Sequence, residues 1–146
     1  MQGVDGRHWE RIFTILDYGI DGNETQLLVE NDTLMAFSRT EAGGNHEMHI
    51  SSYVPRENRW ESLSSGRIIQ APCVFKAGNR IMIMGRYCLQ MELLSAGDGS
   101  YTGVVQYGNG YVISDYSMHE YYPEIKRPGD WNTPCDIYLS RIRFGG

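Results

Sequence analysis

The chain has 146 residues, 41% of them hydrophobic and 21% charged, which excludes a disordered chain and allows one domain with a real core. A formal net charge of −5 and a pI of about 5.3 disfavour a nucleic-acid backbone as a partner. No run approaches the ~18 apolar residues of a membrane span. Met1–Glu10 lacks the apolar stretch of a secretory leader, so location stays open; a secreted or periplasmic protein would need a leader upstream of this sequence.

Seventeen Gly, ten Tyr and 12% aromatics favour β structure with tight turns. In chain order, Arg11–Leu16, Thr25–Val29, Thr33–Ser38, Glu47–Ser52, Arg59–Leu63, Ala71–Phe75, Arg80–Met84, Met91–Leu94, Gly103–Gln106, Tyr111–Ser114 and Asp136–Phe144 each read as a strand. Asp21-Gly22-Asn23, Asn31-Asp32, Gly43-Gly44-Asn45, Gly78-Asn79, Gly97-Asp98-Gly99 and Gly108-Asn109-Gly110 punctuate them. Two-residue turns before Thr33–Ser38 and Arg80–Met84 predict hairpins. No segment carries a 3.6-residue apolar stripe of helical length, so the fold class is all-β with about eleven strands.

Cys73, Cys88 and Cys135 are odd in number, far apart and in no CxxC pair. Small buried thiols are the expectation, with a Cys73–Cys88 pair open if their strands are neighbours. His46 and His49 form HxxH, which puts them on opposite sides of a strand and makes a poor metal pair; no metal or other cofactor is implied. Gly97–Gly103 is not a phosphate loop, because neither GK[ST] nor a helix follows. Of 13 basic residues, all but Lys76 and Lys126 are Arg, whose planar fork suits a carboxylate ligand.

A repeat is visible in the turns that precede tryptophan. Asp5-Gly6-Arg7-His8-Trp9 is echoed by Ser51…Arg59-Trp60, with the tryptophans 51 residues apart (60 − 9), a propeller-like spacing. These segments resemble the Asp-box turns of the sialidase (neuraminidase) superfamily of six-bladed β-propellers. Asp5-Gly6…Trp9 matches the second half of Ser-x-Asp-x-Gly-x-x-Trp with Gly3 in place of Ser, and Ser51…Trp60 is a copy without the Asp.

Two further stretches carry the resemblance. In Asn23–Arg39 a Glu opens a strand and the returning strand ends in an Arg; Glu24 and Arg39 are 15 residues apart (39 − 24). Antiparallel strands joined by a tight turn bring these two ends to one edge, so geometry alone predicts that they are neighbours. From the spacing alone a plain surface ion pair is the better explanation; with the family pattern the site is. Gly97-Asp98-Gly99-Ser100-Tyr101 is similar to the family's turn before the strand bearing its nucleophilic Tyr. The resemblance implies Tyr101 as nucleophile, Glu24 as its base, and Arg39 and Arg86 as arginines that hold a substrate carboxylate, with Arg67 competing for the second place. A phenol needs such a base because its ordinary pKa is about 10. Tyr101 could equally be a core aromatic, and Arg86 a rim residue facing water.

The loop between Tyr116 and Trp131, with Pro123, Pro128 and Gly129, is rich in aromatics. Tyr116, His119, Tyr121 and Trp131 could stack on sugar rings, or pack on one another.

The reading that follows is a partial β-propeller of sialidase type, 1–146 as one domain, with about three blades of four-stranded antiparallel sheet in approximate units 1–50, 51–100 and 101–146. A full six-bladed ring needs about 250–300 residues at ~40–50 per blade. The family's acid/base Asp and first Arg have no counterpart here, and Cys88–Leu94 is short for a blade, so this polypeptide alone is not expected to be a complete sialidase. The implied function is retaining hydrolysis of sialic acid or a related carboxylated sugar in a full-length protein. The alternatives are a non-catalytic glycan-binding or scaffold propeller and a propeller polysaccharide lyase. Open sheet edges invite self-association or further blades.

Overall fold

A computed structural model describes residues 2–3, 7–16, 19–41, 46–86, 99–117 and 136–144. The architecture is all-β, with eleven strands among the described residues: β1 Gln2–Gly3, β2 Trp9–Glu10, β3 Gly22–Glu30, β4 Thr33–Thr40, β5 His49–Val54, β6 Arg59–Ser64, β7 Gln70–Ala77, β8 Arg80–Arg86, β9 Gly99–Tyr107, β10 Gly110–Ser117 and β11 Asp136–Ile142. Every pairing is antiparallel. β1 and β2 form a short ribbon, β3-β4-β5-β6 a four-stranded meander, β7-β8 a two-stranded sheet, and β9-β10-β11 a three-stranded sheet. No described helix is long and apolar enough to cross a membrane.

Nine of the eleven expected strands coincide with observed ones, mostly extended by one to four residues at an end. Arg11–Leu16 does not form a strand. Its Phe13 ring instead stacks on Tyr53 at 5.2 Å and meets Trp60 edge-on at 5.6 Å, so the segment covers part of a sheet face instead of joining a ladder. Met91–Leu94 and the Asp5-Gly6 turn lie outside the described residues. The described sheets have four, two and three strands instead of four each, and the first runs from Gly22 to Ser64, across the 50/51 division.

The three larger sheets stack because β7 and β8 are apolar on both faces, the pattern of a sheet covered from both sides. Val74, Ile81 and Ile83 turn to one side and pack with Phe37, Met48, Ile69 and Leu28. Cys73, Phe75, Met82 and Met84 turn to the other and pack with Ile113, Val104, Tyr111 and Ile142. Cys73 is a free, buried thiol, and burial pushes its pKa up. Phe37, Met48, Met84 and Ile113 are essentially sealed from water; truncating such a side chain to Ala costs about 2–5 kcal/mol.

The first strands of the three sheets run side by side, β3 beside β7 and β7 beside β9. Gln26 joins the first two: its Nε2 donates to the Val74 carbonyl at 3.2 Å and its Oε1 accepts from the Val74 N–H at 3.3 Å. A sheet edge would otherwise leave both groups unpaired. At the turn end, the Lys76 ammonium pairs with Glu30 at 2.8 Å, and the Tyr111 hydroxyl donates to the Lys76 carbonyl at 2.9 Å.

Candidate site at the bulged end of three hairpins

β3–β4, β7–β8 and β9–β10 are built alike. Each is closed by a two-residue turn: Asn31-Asp32, Gly78-Asn79 and Gly108-Asn109. Asn31 and Asp32 both take left-handed φ (49° and 61°), as a type I′ hairpin turn demands. Each hairpin then runs in register until one residue of the returning strand faces two of the outgoing strand. Arg39 faces Asn23 and Glu24, Gly85 faces Ala71 and Pro72, and Asp115 faces Tyr101 and Thr102. Such a bulge bends the strand and re-aims its side chains, and it is common beside functional sites.

The three bulges converge. Glu24, Pro72 and Thr102, one from each, line a single cleft of about 480 Å³ together with Ala71 and Thr25, Gln26 and Leu27. Ala71 holds a φ of 45° there, immediately before a proline. That is a left-handed conformation in a non-glycine residue, at a place where proline favours extended backbone. It stores strain on the order of 1–3 kcal/mol. Gly85 makes the fit behind it possible: a Cβ would sit 2.6 Å from the Gln70 carbonyl oxygen and 2.8 Å from the Ile69 side chain.

Glu24 and Arg39 are neighbours, as the hairpin argument requires. The Arg39 Nη1 donates to Glu24 Oε2 at 2.8 Å, and its Nη2 donates to Glu41 Oε1 at 2.6 Å. Glu24 and Arg39 are half-buried and Glu41 is exposed. Arg39 Nε is buried without a hydrogen-bond partner among the described residues. The guanidinium is therefore clamped from two sides, with the outer carboxylate nearer to water.

Tyr101 has its backbone in the third bulge, next to the cleft-lining Thr102, and its side chain lies outside the described residues. Arg86 ends β8 opposite Gln70, and its side chain is likewise outside the description. Tyr116 lies in β10 opposite Ser100 and Ile137. His119, Tyr121 and Trp131 lie outside the described residues. Arg67 is exposed on the link between β6 and β7. The His49 ring meets Ser62 at 3.2 Å, whereas His46 precedes β5. Among the described residues no three His, Cys, Asp or Glu gather to hold a metal ion.

Asp115 was missed from the sequence. It is 9% exposed, its Oδ1 has no hydrogen-bond partner among the described residues, and burial raises its pKa above the usual carboxylate range. Such a group is a candidate for proton-dependent behaviour. Its only sequence signal is position: counted from the turn, Asp115 corresponds to Gly85, and Arg39, one residue further along its strand, stands at the equivalent place opposite a bulge.

Compared with protein-family models, with curated proteins and with solved structures, the chain gives no match.

Proposed function

We propose that these three sheets are consecutive blades of a sialidase-type β-propeller and that the cleft at their bulged end binds a carboxylated sugar such as sialic acid. The observation that carries this reading is the convergence of three equivalent bulges on one cleft, with Glu24 in its wall and Arg39 bonded to Glu24. Side-by-side first strands and equivalent strand ends are what radial repetition of one unit produces.

Arg39 is the ligand for the sugar carboxylate in this reading. Glu41 fills Nη2 from the exposed side. An incoming carboxylate takes the place of Glu41, while Glu24 keeps the guanidinium oriented from below. In a full-length protein that supplies an acid/base Asp and another Arg, Glu24 would draw the proton from the Tyr101 phenol. The phenolate oxygen would attack the anomeric carbon as the glycosidic bond breaks and the aglycone leaves with a proton from the acid/base Asp. Water, deprotonated by that Asp, would then displace the Tyr oxygen and release the sugar with retention. A nearly neutral Tyr–Glu pair avoids the repulsion that an anionic nucleophile would feel from the substrate carboxylate.

The second reading, a non-catalytic glycan-binding propeller, is favoured by the same arginine: two carboxylates already occupy its terminal nitrogens, which suits a structural clamp. Calorimetric titration with sialyllactose, and with lactose as the neutral control, separates site from clamp. Binding of the acidic sugar alone, lost in Arg39→Ala and tightened several-fold in Glu41→Gln, is expected. Equal binding of both sugars, or affinity indifferent to both substitutions, would overturn the assignment of Arg39. In the full-length protein, Tyr101→Phe should abolish turnover while binding persists; full activity would remove Tyr101 as nucleophile.

A further inference from the structure

The two ends of the stack are unlike its middle. On the outer face of the β9–β11 sheet, Val105, Tyr107, Ile137 and Leu139 are exposed, from 61% for Val105 to 81% for Ile137. They share one face, because the pairings Val105↔Val112↔Arg141, Gly103↔Ser114↔Leu139 and Tyr116↔Ile137 alternate with rows containing Val104, Ile113 and Tyr111, which pack on the middle sheet. At the other end, Gln26 and Leu28 face the middle sheet, so Leu27 and Val29 point away from it; they are 53% and 66% exposed. On that face Phe13 packs on Tyr53 and Trp60, on β5 and β6, and Ala36 and Ser51 are sealed from water, whereas these β3 residues stay open.

We propose that a second copy of this chain docks head to tail on the stack, with Val105 and Tyr107 of one copy against Leu27 and Val29 of the other. Continuity with the two existing interfaces supplies the occupant. Each already sets the first strand of one sheet beside the first strand of the next, β3 with β7 and β7 with β9. Each is sealed by apolar residues at alternate positions of those strands: Leu28 with Val74, then Cys73 and Phe75 with Val104. β9 of one copy and the partner's β3 carry the next such pair of rows, and no other described sheet face offers both the strand position and the apolar alternation. Exposed apolar rows of this extent mark contact surfaces. A two-fold pair uses both free faces of both copies and closes; an unclosed head-to-tail contact would continue into filaments. The inference rests on the stacking of the sheets and not on the sugar-binding reading, and it concerns the 146-residue chain; in a longer protein, further blades would take these same two faces.

Light scattering on the eluting 146-residue chain tests it. The expected mass is twice 16.6 kDa. Val105→Lys and Leu27→Lys, placed on opposite faces, should each shift the population towards the single-chain mass, with the strand signal in circular dichroism unchanged. Mixing the two variants should restore pairing in part, because one intact contact remains. A wild-type mass of 16.6 kDa overturns the proposal. So does a dimer sensitive to Val105→Lys but indifferent to Leu27→Lys, which would mean that like faces meet.

Discussion

The Gln26 amide is the most exacting test of how the sheets are joined. It makes two hydrogen bonds to the backbone of one residue, Val74, across the gap between β3 and β7. At 3.2 and 3.3 Å both are long, which places each near the low end of the usual net range of about 0.5–1.5 kcal/mol. Removing the amide also strands the Val74 N–H and C=O in a site where the residue is buried, at about 1–3 kcal/mol for a group left dry. Gln26→Met keeps length and apolar packing and deletes only the polar atoms, so the loss should be about 2–3 kcal/mol. Gln26→Glu makes the reason visible. Ionised, it places a carboxylate against the Val74 carbonyl and should be at least as damaging at pH 7. Protonated, it regains a donor; the folded-state pKa lies above the unfolded value of about 4.3, so the deficit should shrink as pH falls towards about 4.3. Urea unfolding read by tryptophan fluorescence, with linear extrapolation, measures both. A Gln26→Met chain within about 0.5 kcal/mol of wild type, or a Gln26→Glu deficit independent of pH, would refute the clamp.

Other outcomes follow from the same geometry. Gly85→Ala should lower stability by about 1–3 kcal/mol, measured as a fall in Tm, because the new Cβ meets the Gln70 carbonyl and the β8 backbone must shift. Asp115→Asn should stabilise the fold at pH 7. The raised folded-state pKa means that the native chain holds this proton longer than the unfolded chain, so wild-type stability declines as pH rises from the unfolded value of about 3.8 to the folded one. The advantage of Asn should vanish below that window, and a denaturation series across pH reads it directly. Lys76→Ala should cost less than about 1 kcal/mol in the same urea assay, since the Lys76 end of its pair with the half-buried Glu30 is exposed.

Much of the fold was legible because β-hairpins are local. Gly78 and Gly108 sit where a turn needs positive φ, and the apolar runs on either side find each other across two residues. The Glu24–Arg39 contact was legible for the same reason. Arg11–Leu16 misled because a short apolar run laid over a sheet reads like a strand, and Phe13 is apolar for the sake of Tyr53 and Trp60. The bulges were not legible. A bulge costs one residue of register and leaves no composition mark, and here the two-versus-one residues are Asn-Glu, Ala-Pro and Tyr-Thr in turn. Unequal spacing hid the repeat as well, since the three turns begin at residues 31, 78 and 108. Asp115 could be recognised only once the third hairpin was aligned with the other two.

The cleft itself is the claim on which the functional reading depends. The most direct measurement is a titration of isotope-labelled chain with sialyllactose, followed through backbone amide resonances. The account predicts shifts concentrated at Glu24, Thr25, Ala71 and Thr102, where three bulges meet, and at Arg39 and Glu41, which are bonded in series to Glu24. Shifts confined to the turn ends near Asn31, Asn79 and Asn109, or an equal response to lactose, would contradict it.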